Sequence, residues 1–249
     1  MCSANSLRIT FLPTRRKRPT AASTPPAIIR PFDASRLKTY PLQRRHSKVQ
    51  VSNFAKVWTK GRSFARFVDS LPDILAVKTL REVAQAIAKA HRNGRPVIVG
   101  MGAHVVKVGL GPLLVDLMER GIVTALAMNG AVIIHDFELA FMGHTSEEVD
   151  AEIDSGRFGM AEETGRMLNE AITLGMKEGQ GLGESLGSYI HRRKQLFPHR
   201  ATSLLATGFR LGLPVTVHVA VGTDIIHMHP SADGAAIGAG SLLDFRRLA

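Results

Sequence analysis

The residues best suited to chemistry gather after two apolar runs. Residues 122–128 lead into Asn129-Gly-Ala-Val-Ile-Ile-His135-Asp136-Phe-Glu138, and residues 214–221 lead into Gly222-Thr223-Asp224-Ile-Ile-His227-Met-His229. An imidazole titrates near neutral pH, so His135 suits proton transfer. Asp136, Glu138 and Asp224 suit an amine or a ribose hydroxyl, although acids at 136 and 138 are also what a helix N-terminus favours. His227 and His229 lie two apart and would share one face of a strand. With His218 and Asp224 nearby they imitate part of a zinc site, or they line a polar pocket as hydrogen-bonded histidines. His135, Asp136, Glu138 and Asp224 are the expected catalytic residues. His227 and His229 are the expected substrate contacts, and no metal is expected.

A third apolar run, residues 96–100, ends in Gly100-Met-Gly102-Ala-His104. Glycines at such turns admit a ligand to backbone N–H groups, and a helix N-terminus beyond them favours phosphate. Gly100, Gly102, Asn129, Gly130, Gly222 and Thr223 are therefore the expected cofactor contacts. No strict GxGxxG is present, and Gly109 and Gly111 serve equally well to turn the chain. Lys107 suits a phosphate, or a Schiff base if it is desolvated. The glycine-rich stretch from Glu178 to Glu184 reads as a lid or a turn. The run His191-Arg-Arg-Lys194 reads as a solvated helix end.

The elements that must position these residues alternate along the chain. Helical spacing of apolar residues begins near Thr79 with Leu80, Val83, Ala84 and Ile87, and Asn93-Gly94 stops it. Further helices are expected from about 104 to 120, 146–154, 160–176, 183–195, 203–211 and 234–248. The three apolar runs suit buried parallel strands. Strand, polar loop and helix in repetition is the α/β signature, here a Rossmann-like parallel sheet with helices on both faces. In such sheets a ligand sits beyond the C-terminal strand ends, where the strand order reverses.

The net charge of +11 belongs almost entirely to residues 1–50, which hold eleven Lys/Arg and one acid, Asp33; the remaining residues carry +1. A solvated basic tail accounts for this, and it argues against nucleic-acid binding by the folded part. Three regions are expected: a disordered basic extension over 1–36, an ordered aromatic arm over 37–78, and the α/β domain over 79–249. The extension overlaps in composition with an organellar transit peptide, but its prolines suit a presequence poorly. The single cysteine, Cys2, excludes an internal disulfide and leaves a reducing cytoplasm as the expected compartment. No apolar run approaches the roughly 18 residues of a membrane span.

The stretch from Gly100 to Glu138 resembles the deoxyhypusine synthase family. The resemblance runs through Ala125-Leu-Ala-Met-Asn-Gly-Ala-Val-Ile-Ile-His-Asp-Phe-Glu138, where a Gly-Gly loop followed by acids becomes Gly130-Ala131 and His135-Asp136. It continues in Leu213-Pro-Val-Thr-Val-His-Val-Ala-Val-Gly-Thr-Asp-Ile-Ile-His227, similar to the family's strand ending in a Thr-Asp turn, and covers about 95–245. The resemblance implies an NAD-binding, Rossmann-like homotetramer with sites at subunit interfaces. It implies oxidation of spermidine by NAD, then transfer of the aminobutyl group through a lysine imine to a lysine of an acceptor protein. Asn129 and Gly130 would lie against the dinucleotide, Asp136 or Glu138 would hold the amine, and Asp224 would belong to the shared pocket. The family's Trp-Gly-Lys motif has no counterpart, since Trp58 stands in Trp-Thr-Lys ahead of the domain. The implied member is thus divergent and C-terminally truncated, inactive if no other lysine serves. The alternatives are a non-catalytic binding protein of the same fold, or a metal-dependent hydrolase using His135, Asp136, His227 and His229.

Overall fold

The computed structural model describes residues 32–249. Most of the expected basic extension, including any transit peptide, falls outside them. The chain divides into two compact units, Met1–Gln50 and Val51–Ala249. The described part of the first holds two short 3-10 turns, Ala34–Arg36 and Leu42–Arg44.

The second unit opens with the aromatic arm. Helix α1 (Phe64–Ser70) is capped by Ser63, whose hydroxyl accepts from the Arg66 N–H. Trp58 packs edge-on against Phe67 at 5.6 Å. Two backbone bonds, Lys56 N to Ser70 O and Asp73 N to Asn53 O, close the arm on itself. Helix α2 (Leu75–Arg92) follows, and Arg81 pins it back by donating to the Val68 and Leu71 carbonyls. Its apolar stripe is real, yet none of its residues is buried: Leu80 is 60% exposed and Val83 52%.

Three strands make the sheet: β1 (Ile98–Met101), β2 (Ala125–Asn129) and β3 (Val215–His218). All pair parallel, in the order β1-β2-β3, with Gly100 beside Ala127 and Asn129 beside His218. The strand order runs straight through, so the described sheet contains no point at which it reverses. The expectation that a reversal makes the ligand crevice is corrected: the strand ends are enclosed by helices and by the β3 loop instead. The covering is also uneven. β2 and β3 are almost wholly buried, whereas Ile98 on β1 stays 51% exposed.

Helices α3 (His104–Lys107) and α4 (Gly111–Glu119) replace the single helix expected after β1, since the turn at Val108–Leu110, with Gly109 at φ +84°, divides it. Helix α5 (Gly130–Met142) starts with no loop after β2. Val132, Ile133, Phe137 and Ala140 supply its buried stripe. The segment carrying His135, Asp136 and Glu138 is therefore helix, not loop. Then come α6 (Val149–Glu152), α7 (Glu162–Lys177), α8 (Leu182–Arg192), α9 (Leu204–Leu211) and α10 (Gly234–Leu248). The core is aliphatic, with one aromatic knot in which Phe137, Phe141 and Tyr189 surround Phe197.

The glycine-rich stretch before α8 is a close-packing device rather than a lid. A Cβ at Gly183 would fall within 1.6 Å of the Val215 carbonyl oxygen, so only glycine lets α8 lie on β3. Among the described residues the outer edge of β3 has no strand partner, and α10 seals it. Asp244 accepts from the Val217 and Gly183 N–H groups at 2.8 and 2.9 Å, and Ser241 accepts from the Val219 N–H. Unpaired strand groups are thereby satisfied by side chains.

Candidate functional site

A cleft of about 320 Å³ opens beyond the strand ends, lined by Lys107, His135, Glu138, Glu147, Asp224 and Phe158 among others. Helix periodicity sorts the polar residues of α5. His135 and Glu138, three apart, share the face toward the cleft. Asp136 points the other way and is 1% exposed.

Glu138, Thr145 and His135 form a relay. Thr145 Oγ1 donates to Glu138 Oε2 at 2.5 Å and lies 2.7 Å from His135 Nδ1, while Thr164 donates to Glu138 Oε1 at 3.0 Å. A carboxylate only accepts, and a hydroxyl has one hydrogen to give. With that hydrogen on Glu138, Thr145 must accept from His135 Nδ1–H. Nε2 is then the unprotonated nitrogen of the neutral ring. Burial holds the His135 imidazole below the usual histidine range, and Lys107 and His104 push the same way against the opposing pull of Glu138. The arrangement is an oriented, neutral base with a carboxylate behind it.

Asp224 enters from the β3 side. It caps the 3-10 turn Ile225–Met228, its side chain accepting from the His227 backbone N–H. Its other oxygen, Oδ2, is buried and has no hydrogen-bond partner. Burial raises the Asp224 carboxyl above its ordinary range, with His227 pulling it down. Gly130 makes the room: a Cβ there would meet Oδ2 at 2.0 Å. Glu147, on the cleft wall, accepts from the Gly159 N–H at 3.1 Å.

The other expected site residues separate. Asp136 accepts from Ser203 Oγ, Leu204 N and Leu205 N at 2.5, 2.7 and 3.3 Å, so it fastens the start of α9 and stands apart from His135 and Glu138. His227 and His229 do not share a face. His227 Nδ1 accepts from the Gly222 and Asp224 N–H groups, whereas His229 lies between Ser231 and Glu162. Among the described residues no three His, Cys, Asp or Glu side chains are gathered in a way that could hold a metal ion. The hydrolase alternative therefore loses its ligand set. His218 bonds Thr216 Oγ1 at 2.9 Å.

Gly100 and Gly102 stand at the β1 end beside Asn129, whose Nδ2 lies 3.6 Å from a Cβ built at Gly102. Asn129, Gly222 and Thr223 are exposed, and Thr223 also lines the cleft. These positions leave backbone open to solvent at the strand ends. The α5 N-terminus does not fit the phosphates of a dinucleotide, because the Asp224 carboxylate already lies against Gly130. Thr145, Thr164 and Glu147 were not singled out from sequence; ten residues separate Thr145 from His135, and no spacing rule joins them.

No protein-family profile and no curated protein sequence matches the chain. Among solved structures it is similar to an arginine dihydrolase of the ornithine–ammonia cycle in cyanobacteria, at 17% identity over 68% of this chain and 22% of that one, TM-score 0.42. A deoxyhypusine synthase candidate from Entamoeba histolytica matches at 16% identity over 66% and 63% of the two chains, TM-score 0.42. A conserved LOR/SDH candidate from Methanococcus maripaludis S2 matches at 16% over 84% and 53%, TM-score 0.39. The chain spans less than two thirds of the length of each. Likeness at this level transfers no chemistry. Among the described residues no helix is long and apolar enough to cross a membrane.

Proposed function

We propose that the cleft binds the cationic end of a polyamine-like molecule and that His135 takes up a proton there during NAD-linked transfer of an aminoalkyl group to an amine acceptor. The observation that carries this reading is the buried, unpartnered Oδ2 of Asp224 in a cleft that also holds Glu138 and Glu147. An ammonium group supplies what that oxygen lacks, and a charge-assisted bond there is stronger than a neutral one. Lys107, on the opposite sign of the balance, is the amine that the cleft itself offers to a carbonyl or imine carbon.

NAD would be held by Gly100, Gly102, Asn129, Gly222 and Thr223 and would accept the hydride that turns the polyamine carbon into an imine; the rest of the polyamine leaves as a free amine, and the hydride returns to the imine formed with the acceptor. His135 and Asp224 act on the substrate: Asp224 orients the ammonium, and Nε2 of His135 receives the proton released when an amine becomes neutral. The acceptor is proposed to be a lysine-bearing protein. Assembly into a homo-oligomer, proposed as a tetramer, is supported by the uncovered apolar faces of α2 and β1, where Leu80, Val83 and Ile98 are exposed. A cytoplasmic location is proposed with it.

Thermal unfolding with spermidine, NAD and both together tests this, because a ligand that binds only the folded state raises the midpoint. A rise with spermidine that Asp224→Asn clearly reduces supports the amine site. No rise with either ligand at millimolar concentration removes the proposal. A rise without a borohydride-trapped lysine adduct in the presence of both ligands leaves a binding protein rather than a transferase.

A further inference from the structure

The basic run at the end of α8 does not simply face solvent. His191 and Lys194 turn toward Arg200, from the 3-10 turn Arg200–Thr202, and Arg210 of α9, and together with Thr207 they line a cavity of about 530 Å³. A second recess of about 450 Å³ adjoins it through Lys194 and is walled by Arg192 and Arg193. The one acid in the larger cavity, Glu119, is taken up by Arg210 at 2.5 Å. Cations at a helix C-terminus are favoured by its dipole, which accounts for residues 191–194. Arg200 comes from another element and donates to the Lys194 carbonyl at 3.5 Å, and Arg210, from α9, has no such link to the helix end among the described residues.

The bases are braced. Phe209 carries the His191 ring at 5.6 Å and the Arg192 guanidinium at 5.4 Å, and Tyr189 carries Arg193 at 3.7 Å. Like charges held this close repel one another, and the effect is visible at His191: burial and then Lys194, Arg200, Arg210 and Arg192 hold its imidazole below the usual range. An anion in the cavity would relieve that repulsion.

We propose that these two adjoining recesses bind a small ligand carrying two or more linked phosphate groups. Guanidinium groups meet phosphate oxygens bidentately, and Lys194 between the recesses can serve two phosphates at once. The volume is that of a small-molecule site. A nucleic-acid strand would need a field extending along the surface, whereas residues 51–249 carry only +1 in total. The site shares no lining residue with the cleft around His135 and stands independently of the function proposed for it.

The test is calorimetric titration of the full chain with tripolyphosphate, beside inorganic phosphate and a single-stranded oligonucleotide. Saturable tripolyphosphate binding is expected, tighter than phosphate, and weakened about tenfold by Arg200→Ala and by the exposed Lys194→Gln. His191 adds a second readout, since bound anion must raise its pKa in an NMR titration. Failure to saturate overturns the proposal. So does binding that both variants leave unchanged, which would put the ligand on the basic N-terminal residues. An oligonucleotide that binds more tightly than tripolyphosphate, and is lost in both variants, would make the face a nucleic-acid contact and overturn it too.

Discussion

Asp224 lays its Oδ2 against Gly130, so closely that a Cβ on residue 130 would come within 2.0 Å of it. The contact joins the two strand-end segments into one site. It also changes what Gly130 is for. Sequence reasoning assigned the glycine to a dinucleotide; the geometry gives it to a carboxylate, which then stands at the N-terminus of α5 where a phosphate would otherwise be welcome.

Gly130→Ala should therefore displace the Asp224 carboxylate rather than break the helix. Overpacking of this kind costs about 1–3 kcal/mol. Spermidine affinity should fall about tenfold, comparable to the loss in Asp224→Asn, since either change removes one charge-assisted bond. The affinity should also weaken at a higher pH than an ordinary carboxylate would set, because burial raises the Asp224 carboxyl and the protonated form attracts no ammonium. Titration of both variants and the parent across mildly acidic pH checks this; an alanine at 130 that binds normally would separate Gly130 from the site.

Thr145→Val should release His135. The variant keeps the shape but removes both the donor to Glu138 and the acceptor for Nδ1. Nitrogen NMR of the imidazole should change from a single Nδ1–H tautomer to a mixture, and stability should fall by about 1 kcal/mol. Thr145→Ser should restore the tautomer. If His135 is the base of the proposed transfer, turnover in the valine variant should drop on the order of 10²-fold with substrate affinity nearly kept. An unchanged tautomer would break the relay argument.

How far the residues announced themselves depends on whether local or distant contacts decide. β2 was legible because Ala125–Met128 is an apolar run against the core, and β3 because Val215 and Val217 carry an apolar stretch that Thr216 and His218 interrupt without ending. α5 is absent from the helices expected from sequence because its stripe of Val132, Ile133 and Phe137 follows the strand without punctuation, and a short apolar run does not reveal its period. His135, Glu138 and Asp224 were found as chemistry-bearing types beside a strand end. Asp136 looks identical to them in sequence, and only the 100° step between helical neighbours turns it from the cleft toward α9. The pairing of His227 with His229 failed for a like reason, since a 3-10 turn replaces the strand on which they would have shared a face. Thr145 and Arg200 reach their partners through tertiary packing alone.

Asp244→Ala should be among the most destabilising single changes in the second unit. One buried carboxylate oxygen satisfies the N–H groups of Gly183 and Val217 together, holding α8 and the edge of β3 to α10. Its loss strands two buried donors, at about 1–3 kcal/mol each before any relaxation. Urea unfolding should show the drop, and the Val217 amide should exchange faster than its neighbours on β2. A loss well under 1 kcal/mol would mean that water replaces the carboxylate and that the edge is not sealed.

Asp136 sets a pH dependence of unusual sign. Burial pushes its carboxyl up to about 6 from an ordinary value of 3.8, against the bonds from Ser203, Leu204 and Leu205 that pull it down. The folded state thus keeps the proton to higher pH than the unfolded chain does. Its contribution to stability is whole below the unfolded value and is lost as pH rises through the folded one. The loss is on the order of 3 kcal/mol across that window. His135 works in the opposite direction, because a depressed imidazole favours the folded state above the ordinary histidine range and loses that contribution on acidification. A raw stability profile mixes the two. The difference between the parent and Asp136→Asn isolates the carboxyl, since the amide does not titrate and His135 is common to both. That difference, from urea midpoints, should move against the parent by roughly 3 kcal/mol as pH rises from about 3 to about 7. A difference that stays level would show the carboxyl ionising as easily in the folded protein as in the unfolded chain, with the three donors at the start of α9 fully offsetting the dryness of the site.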